Sequence, residues 1–137
     1  MSREIKFRAW LKDDKTMKFV DIIDWNSESI SFTELIPIKE SNPEYDEIEV
    51  RFDKVELMQY TGLKDKDGTE IYEGDIVKID NEIYRVFYNE GSFRVIESES
   101  HLEHGRLFEL MSMSDRTYCE VIGNIHQNGD LLDGCNS

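Results

Sequence analysis

Apolar residues recur at every second position through most of this chain, and no other feature constrains its fold as tightly. That period buries one face of a strand and leaves the other to solvent. Ile5, Phe7 and Ala9 alternate with Lys6 and Arg8, and the polar Lys12-Asp13-Asp14-Lys15 turns the chain into a second apolar run, Met17 to Ile23, which predicts a hairpin. Asn26-Ser27-Glu28 supplies a further turn, after which Ile30 and Phe32 alternate with Ser29, Ser31 and Thr33 in a third strand. From Pro37 to Glu47 the composition shifts to proline, serine and acids, with Asn42-Pro43 as a breaker. A loop is expected there, and with it the best boundary between two lobes. Alternation resumes at Ile48, Val50 and Phe52 and continues through Val55 to Tyr60. Asp67-Gly68, Glu73-Gly74-Asp75, Asp80-Asn81-Glu82 and Asn89-Glu90-Gly91-Ser92 then punctuate short strands at Ile71-Tyr72, Ile76 to Ile79, Ile83 to Tyr88 and Phe93 to Ile96. Strands so spaced, joined by tight polar turns, predict a small barrel or sandwich. Glu97 to Gly105 reads as a polar connection, Leu107, Phe108, Leu110 and Met111 suit one or two helical turns, and Tyr118 to Ile125 reads as a last strand before a fraying tail. The division expected is an N-terminal β lobe over residues 1–54 and a barrel lobe over 55–137, together one compact unit.

Length and composition agree with such a fold. A chain of 137 residues is near the usual size of one domain, and 39% hydrophobic with 11% aromatic residues supports a core. No apolar run approaches the roughly 20 residues that cross a bilayer. The opening Met1-Ser2-Arg3-Glu4-Ile5-Lys6-Phe7 lacks the apolar stretch of a signal peptide, so a cytoplasmic protein without membrane partners is expected. The formal charge of -14 is unevenly spread: residues 1–18 hold six bases against three acids, leaving ten bases against twenty-seven acids in the rest. An acidic body repels phosphates, which disfavours binding along a DNA backbone unless the basic N-terminal segment does it alone. A strongly negative surface also simply keeps a small protein soluble. Cys119 and Cys135 are the only cysteines, too few for a disulfide scaffold, and Cys119 sits in an apolar run as a small core residue would.

Three stretches go beyond strand-and-turn chemistry. They are Arg3-Glu4-Ile5-Lys6-Phe7-Arg8-Ala9-Trp10 with Met17 following, the long central Met58-Gln59-Tyr60-Thr61-Gly62-Leu63-Lys64-Asp65-Lys66-Asp67-Gly68-Thr69-Glu70-Ile71-Tyr72-Glu73-Gly74-Asp75-Ile76-Val77, and Glu120-Val121-Ile122-Gly123-Asn124-Ile125. In order and spacing the chain resembles the YopX family of phage and prophage proteins. It departs from the family after the last strand, where His126-Gln127-Asn128-Gly129 stands in place of an aromatic and a proline. The resemblance implies a mostly β protein whose C-terminal part is similar to an SH3-type barrel. It implies no particular activity, since small barrels serve many functions.

In the central stretch Gly62, Gly68 and Gly74 recur at six-residue spacing beside polar turn formers, and Tyr60 and Tyr72 flank the loop. One reading is a folding device, an irregular loop stapled to the barrel. The other is a binding loop, with Tyr60, Lys64, Asp65, Asp67, Tyr72 and Asp75 as its candidate residues and Lys66 beside them. Asp65-Lys66-Asp67-Gly68 fails as an EF-hand: with Gly68 at position 6, Leu63 and Gly74 fall where the first and twelfth ligands belong. His101, His104, His126 and the cysteines show no ordered ligand spacing, so neither metal nor cofactor is expected. Ser112, Ser114 and Cys119 lie outside any nucleophile context, and Gly62-Leu63-Lys64 lacks the spacing of a phosphate loop.

No catalytic constellation emerges, and the leading expectation is a non-enzymatic binding or assembly module. A carboxylate-dependent hydrolase centred on the Lys64 to Asp75 loop, using Asp65, Asp67, Glu73 or Asp75, is the alternative from another class. A third is a weak nucleic-acid binder acting through Arg3, Lys6, Arg8 and Trp10. A basic N-terminal segment beside an acidic body also suits a homo-oligomer.

Overall fold

The computed structural model describes residues 4–36, 44–97, 103–113 and 119–132, and the chain is mainly β. It divides into a unit over Lys6–Met58 and a second unit from Gln59 onward that also counts Glu4 and Ile5.

In the first unit, the opening alternation forms β1 (Phe7–Leu11), with Ala9 and Leu11 buried, paired antiparallel with β2 (Thr16–Phe19). The run from Met17 to Ile23 is two strands rather than one. It breaks after Phe19, where the Val20 N–H donates to the Phe7 carbonyl at 3.0 Å and the Asp21 N–H to the Ser31 carbonyl at 2.9 Å. The backbone thus changes partner within one residue and resumes as β3 (Ile22–Asp24) against β4 (Ser29–Ile36). β4 pairs in turn with β5 (Glu44–Arg51), Ile30 facing Val50 and Phe32 facing Ile48. Of the segment expected as a loop, Glu44 to Glu47 belong to β5, and 37–43 lie outside the described residues.

Ser29 and Ser31 are buried although their parity promises solvent. β4 is the middle strand of the order β3-β4-β5, flanked on both sides, and the Ser29 hydroxyl donates to Glu49 Oε2 at 3.1 Å. Ala9, Leu11, Ile30, Phe32 and Val55 make this unit's core. A 3-10 turn over Phe52–Lys54 leads into β6 (Val55–Lys64), which borders β1.

From Gln59 on, β6 pairs with β7 (Glu70–Tyr72), with a register shift between Tyr60 and Lys64 where Gly62 takes a φ of 86°. The strands β8 (Asp75–Ile79), β9 (Glu82–Asn89), β10 (Ser92–Glu97), β11 (Glu103–Arg106) and β12 (Cys119–Asn124) form an antiparallel sheet in the order β11-β10-β9-β8-β12. This sheet curls as a half-barrel, the form that the expected small barrel takes. Ile79 faces Glu82 and Asn89 faces Ser92, so both hairpins close with two residues, Asp80-Asn81 and Glu90-Gly91, all four at positive φ. Two left-handed residues match the twist of the flanking strands, which is why those polar pairs stand there.

α1 (Leu107–Met113) supplies the helical turns, with Leu107 and Met111 buried one turn apart. The core of the unit joins Ile71, Val77, Ile79, Tyr84, Val86, Phe93 and Val95 to these two and to Cys119. After β12, Gly129–Leu132 form a 3-10 turn anchored by the Leu131 N–H on the Asn128 carbonyl at 2.9 Å, where the polar tail predicts fraying, and 133–137 lie outside the described residues. Among the described residues no helix is long and apolar enough to cross a membrane.

Candidate functional site

The central loop closes on the carboxylate of Asp65. Its Oδ1 accepts the N–H groups of Asp67 at 2.8 Å and Thr69 at 2.9 Å, and its Oδ2 accepts the Val121 N–H at 2.9 Å. The first two bonds make a side-chain-closed turn. The third reaches across 56 residues to β12. There the Lys66 N–H donates to the Cys119 carbonyl at 3.0 Å, and Lys66 Nζ pairs with Glu120 Oε2 at 3.1 Å. The hydrogen bond to Glu120, reinforced by its charge, raises the Lys66 ammonium above the ordinary lysine range. Burial first, and then the Asp65 charge, pushes the Cys119 thiol up to about 11.

Asp75, only 2% exposed, accepts the Tyr72 N–H on Oδ2 at 2.8 Å. Beside it the Gly74 N–H donates to the Val86 carbonyl at 2.8 Å, and the Gly74 carbonyl accepts the Ile125 N–H at 2.9 Å. Gly74 has a φ of 87°, a conformation that glycine adopts without strain. Glu73 accepts the Gln59 N–H on Oε1 at 3.2 Å.

Of the six candidate binding residues, the structure thus buries Tyr60, Asp65, Tyr72 and Asp75 and exposes Lys64 and Asp67. Tyr60 and Tyr72 stand together, ring centroids 5.4 Å apart, whereas Asp65 is tied to β12 and Asp75 to the end of β7. Lys6, Arg8 and Trp10 are half-buried, and Arg3 lies outside the described residues. His101, Ser114, Cys135 and the side chains of His104 and Ser112 lie outside them too, and among the described residues no group of three or more His, Cys, Asp or Glu is placed to hold a metal.

A site that the sequence does not single out opens at the β9–β10 hairpin. It is a cavity of about 250 Å³ lined by Thr61, Leu63, Tyr88, Gly91, Ser92, Phe93, Arg106 and Phe108. Tyr88 stacks edge-on against Phe93 at 5.0 Å and is 48% exposed, and Phe108 is 57% exposed. The polar groups are few. The Thr61 hydroxyl already donates to the Ile71 carbonyl at 2.7 Å and accepts the Leu63 N–H at 3.1 Å. Ser92 Oγ is buried and has no hydrogen-bond partner among the described residues. Arg106 carries the one charge among the described residues of the lining and touches Glu109 loosely at 3.5 Å. The neighbouring cation, Arg94, is taken up by Glu103, whose hydrogen bond holds the guanidinium above its ordinary pKa. One signal is in the sequence: in α1 the i, i+4 stripe of Leu107 and Met111 serves the core, so the adjacent Phe108 is left off the buried face.

No curated protein matches the chain. Among solved structures it is similar to the crystal structure of protein EF1440 from Enterococcus faecalis, at 29% identity and a TM-score of 0.65, with 96% of this chain and 99% of that one covered. The family model described as YopX protein matches residues 6–133, nearly the whole length, so the chain belongs to the YopX family.

Proposed function

We propose that this YopX protein is a non-enzymatic binding module whose Gln59 to Leu132 unit receives an apolar group in the cavity at the β9–β10 hairpin. The observation that carries the reading is the lining of that cavity. Leu63, Tyr88, Phe93 and Phe108 give it apolar walls beside Thr61, Ser92 and Arg106, two of the rings are about half exposed, and among the described residues no Asp, Glu, His or Cys lines it. Concave apolar walls with a few convergent polar groups are the usual form of a small binding site. The hydrogen bonding of the central loop supports the same reading. A hydrolytic pair needs carboxylate oxygens directed at a substrate, whereas both Asp65 oxygens and Asp75 Oδ2 accept backbone N–H groups. The loop then acts as the staple that holds β6, β7 and β12 in register, with Lys64 and Asp67 on its outer side.

The setting we propose is the bacterial cytoplasm in a phage or prophage context, which the family resemblance supports. A second copy of the chain is the proposed assembly partner, with the exposed Phe19, Ile22, Trp25 and Tyr45 of the first unit as its apolar contacts.

Amide chemical-shift mapping with indole as the probe tests the binding site. Shifts clustered on Tyr88, Gly91, Ser92, Phe93 and Phe108 are expected. Shifts confined to the Lys64 to Asp75 loop, or ester or phosphodiester hydrolysis lost on Asp67→Asn or Glu73→Gln, would overturn the reading.

A further inference from the structure

The chemistry of the cavity narrows what it takes, on the footing of the binding-module reading above. Its volume of about 250 Å³ falls just under the roughly 300–1,000 Å³ of sites for drug-sized ligands, which is room for one large amino-acid residue rather than a run of them. Tyr88, Phe93 and Phe108 offer ring faces and edges to an apolar side chain. Two polar groups remain with capacity to bond. The Arg106 guanidinium has five donors in a fork that matches a carboxylate, and its one ion pair among the described residues, to Glu109 at 3.5 Å, is exposed and long. Ser92 lines the same cavity, and its hydroxyl, buried without a partner among the described residues, still has a donor and acceptor to satisfy.

A cation at this place stands out against a chain of formal charge -14, because every other described residue that lines the cavity is neutral. An apolar side chain and a carboxylate held within one residue is the chemistry of a peptide C-terminus. An internal acidic residue would need a second residue for the apolar contact and a channel for the chain to leave by.

We propose that the cavity binds the C-terminal residue of a partner protein, its apolar side chain seated among Tyr88, Phe93 and Phe108 and its terminal carboxylate on Arg106. The ring walls supply area and the guanidinium supplies selection for the free terminus. Arg106 lies at the exposed end of β11, so its replacement leaves the core untouched.

The test titrates the full chain with two synthetic tripeptides, acetyl-Gly-Gly-Phe with a free carboxylate and the same peptide as its C-terminal amide, followed by amide shifts. The free acid is expected to bind at least tenfold tighter than the amide, with shifts at Tyr88, Ser92, Phe93 and Arg106. Arg106→Gln should erase that difference and Arg106→Lys should retain some of it, since a point charge keeps the attraction without the fork. Acid and amide bound equally well in the cavity would overturn the terminal-carboxylate proposal and leave the binding module standing. A difference that survives Arg106→Gln would overturn it as well. If neither peptide shifts the cavity residues, the proposal falls, and the indole mapping decides separately whether the module falls with it.

Discussion

Asp65 shows what one side chain contributes to this fold. Its carboxylate accepts three backbone N–H groups, two within its own turn and one from Val121 on β12. Hydrogen bonds to a charged acceptor contribute about 1.5–3 kcal/mol each, and leaving buried donors unpaired adds a desolvation cost. Asp65→Ala is therefore expected to destabilise the protein by about 3–5 kcal/mol in urea unfolding, and Asp67→Ala, whose exposed side chain makes none of these bonds, by less than about 0.5 kcal/mol. Similar small effects for both would contradict the staple.

The sequence announces half of this. Asp-x-Asp-Gly marks a turn by local chemistry, but nothing near Asp65 in the chain marks the bond to a residue 56 positions away.

Cys119, on the same stretch of β12, carries the pH prediction. Burial, helped by the Asp65 charge, raises its thiol in the folded protein from 9.0 to about 11. Unfolding returns the thiol to its ordinary value, so its contribution to stability is whole below pH 9 and is lost as pH rises from 9 towards about 11. The slope in that window is at most about 1.4 kcal/mol per pH unit. Thermal melts of wild type and Cys119→Ala at pH 8 and pH 10.5 should show wild type losing the larger share. Tyr84, whose phenol burial also pushes up, is common to both proteins and cancels.

Among the elements, the end of β12 shows why the stretch Glu120 to Ile125 has its form. Asn124 Oδ1 accepts the N–H groups of His126 at 3.0 Å and Gln127 at 2.9 Å, its Nδ2 donates to Gln127 Oε1 at 2.7 Å, and its own N–H donates to Asn128 Oδ1 at 3.2 Å. That turn folds the Asn128 side chain over Gly123, where a Cβ would lie 2.6 Å from Asn128 Oδ1 and 2.8 Å from its Cβ. Gly123→Ala must displace the whole side chain, and overpacking of this kind costs about 1–3 kcal/mol. Asn128→Ala in the same chain should recover some of that loss, read as a coupling of at least about 0.5 kcal/mol in a double-mutant cycle. Strictly additive effects would contradict the close approach.

The strand periods and the two-residue turns were legible because they are local. The split of Met17 to Ile23 between β2 and β3 was not: alternation says which residues face one way, and it cannot say that the backbone changes partner at Val20 and Asp21. The two buried serines of β4 escaped for a related reason, since parity assigns a face and says nothing of which side chains lie over it, as Glu49 does at Ser29. The hairpin cavity was hidden because its walls come from β6, β9, β10, β11 and α1, with only the left-over Phe108 as a cue.

At the scale of the whole molecule, two apolar cores, one in each unit, coexist with a surface so acidic that the chain carries a formal charge of -14. Like charges oppose self-association at low salt, whereas apolar contacts through Phe19, Ile22, Trp25 and Tyr45 persist when salt screens that repulsion. Light scattering at micromolar concentration should therefore find a species larger than 16.1 kDa, more of it at high salt than at low. A 16.1 kDa species in both buffers would contradict the proposed oligomer.

On the proposed reading the β9–β10 cavity, and not the carboxylate loop, is where this protein engages a ligand. The most direct measurement is the affinity of acetyl-Gly-Gly-Phe for wild type, for a Tyr88→Ala, Phe108→Ala double variant and for a Lys64→Ala, Asp67→Ala double variant, with the melting temperature of each. At least a tenfold loss is expected in the first variant, unchanged affinity in the second and similar melting temperatures in all three. A tenfold loss on removing Lys64 and Asp67, with Tyr88 and Phe108 dispensable, would contradict it.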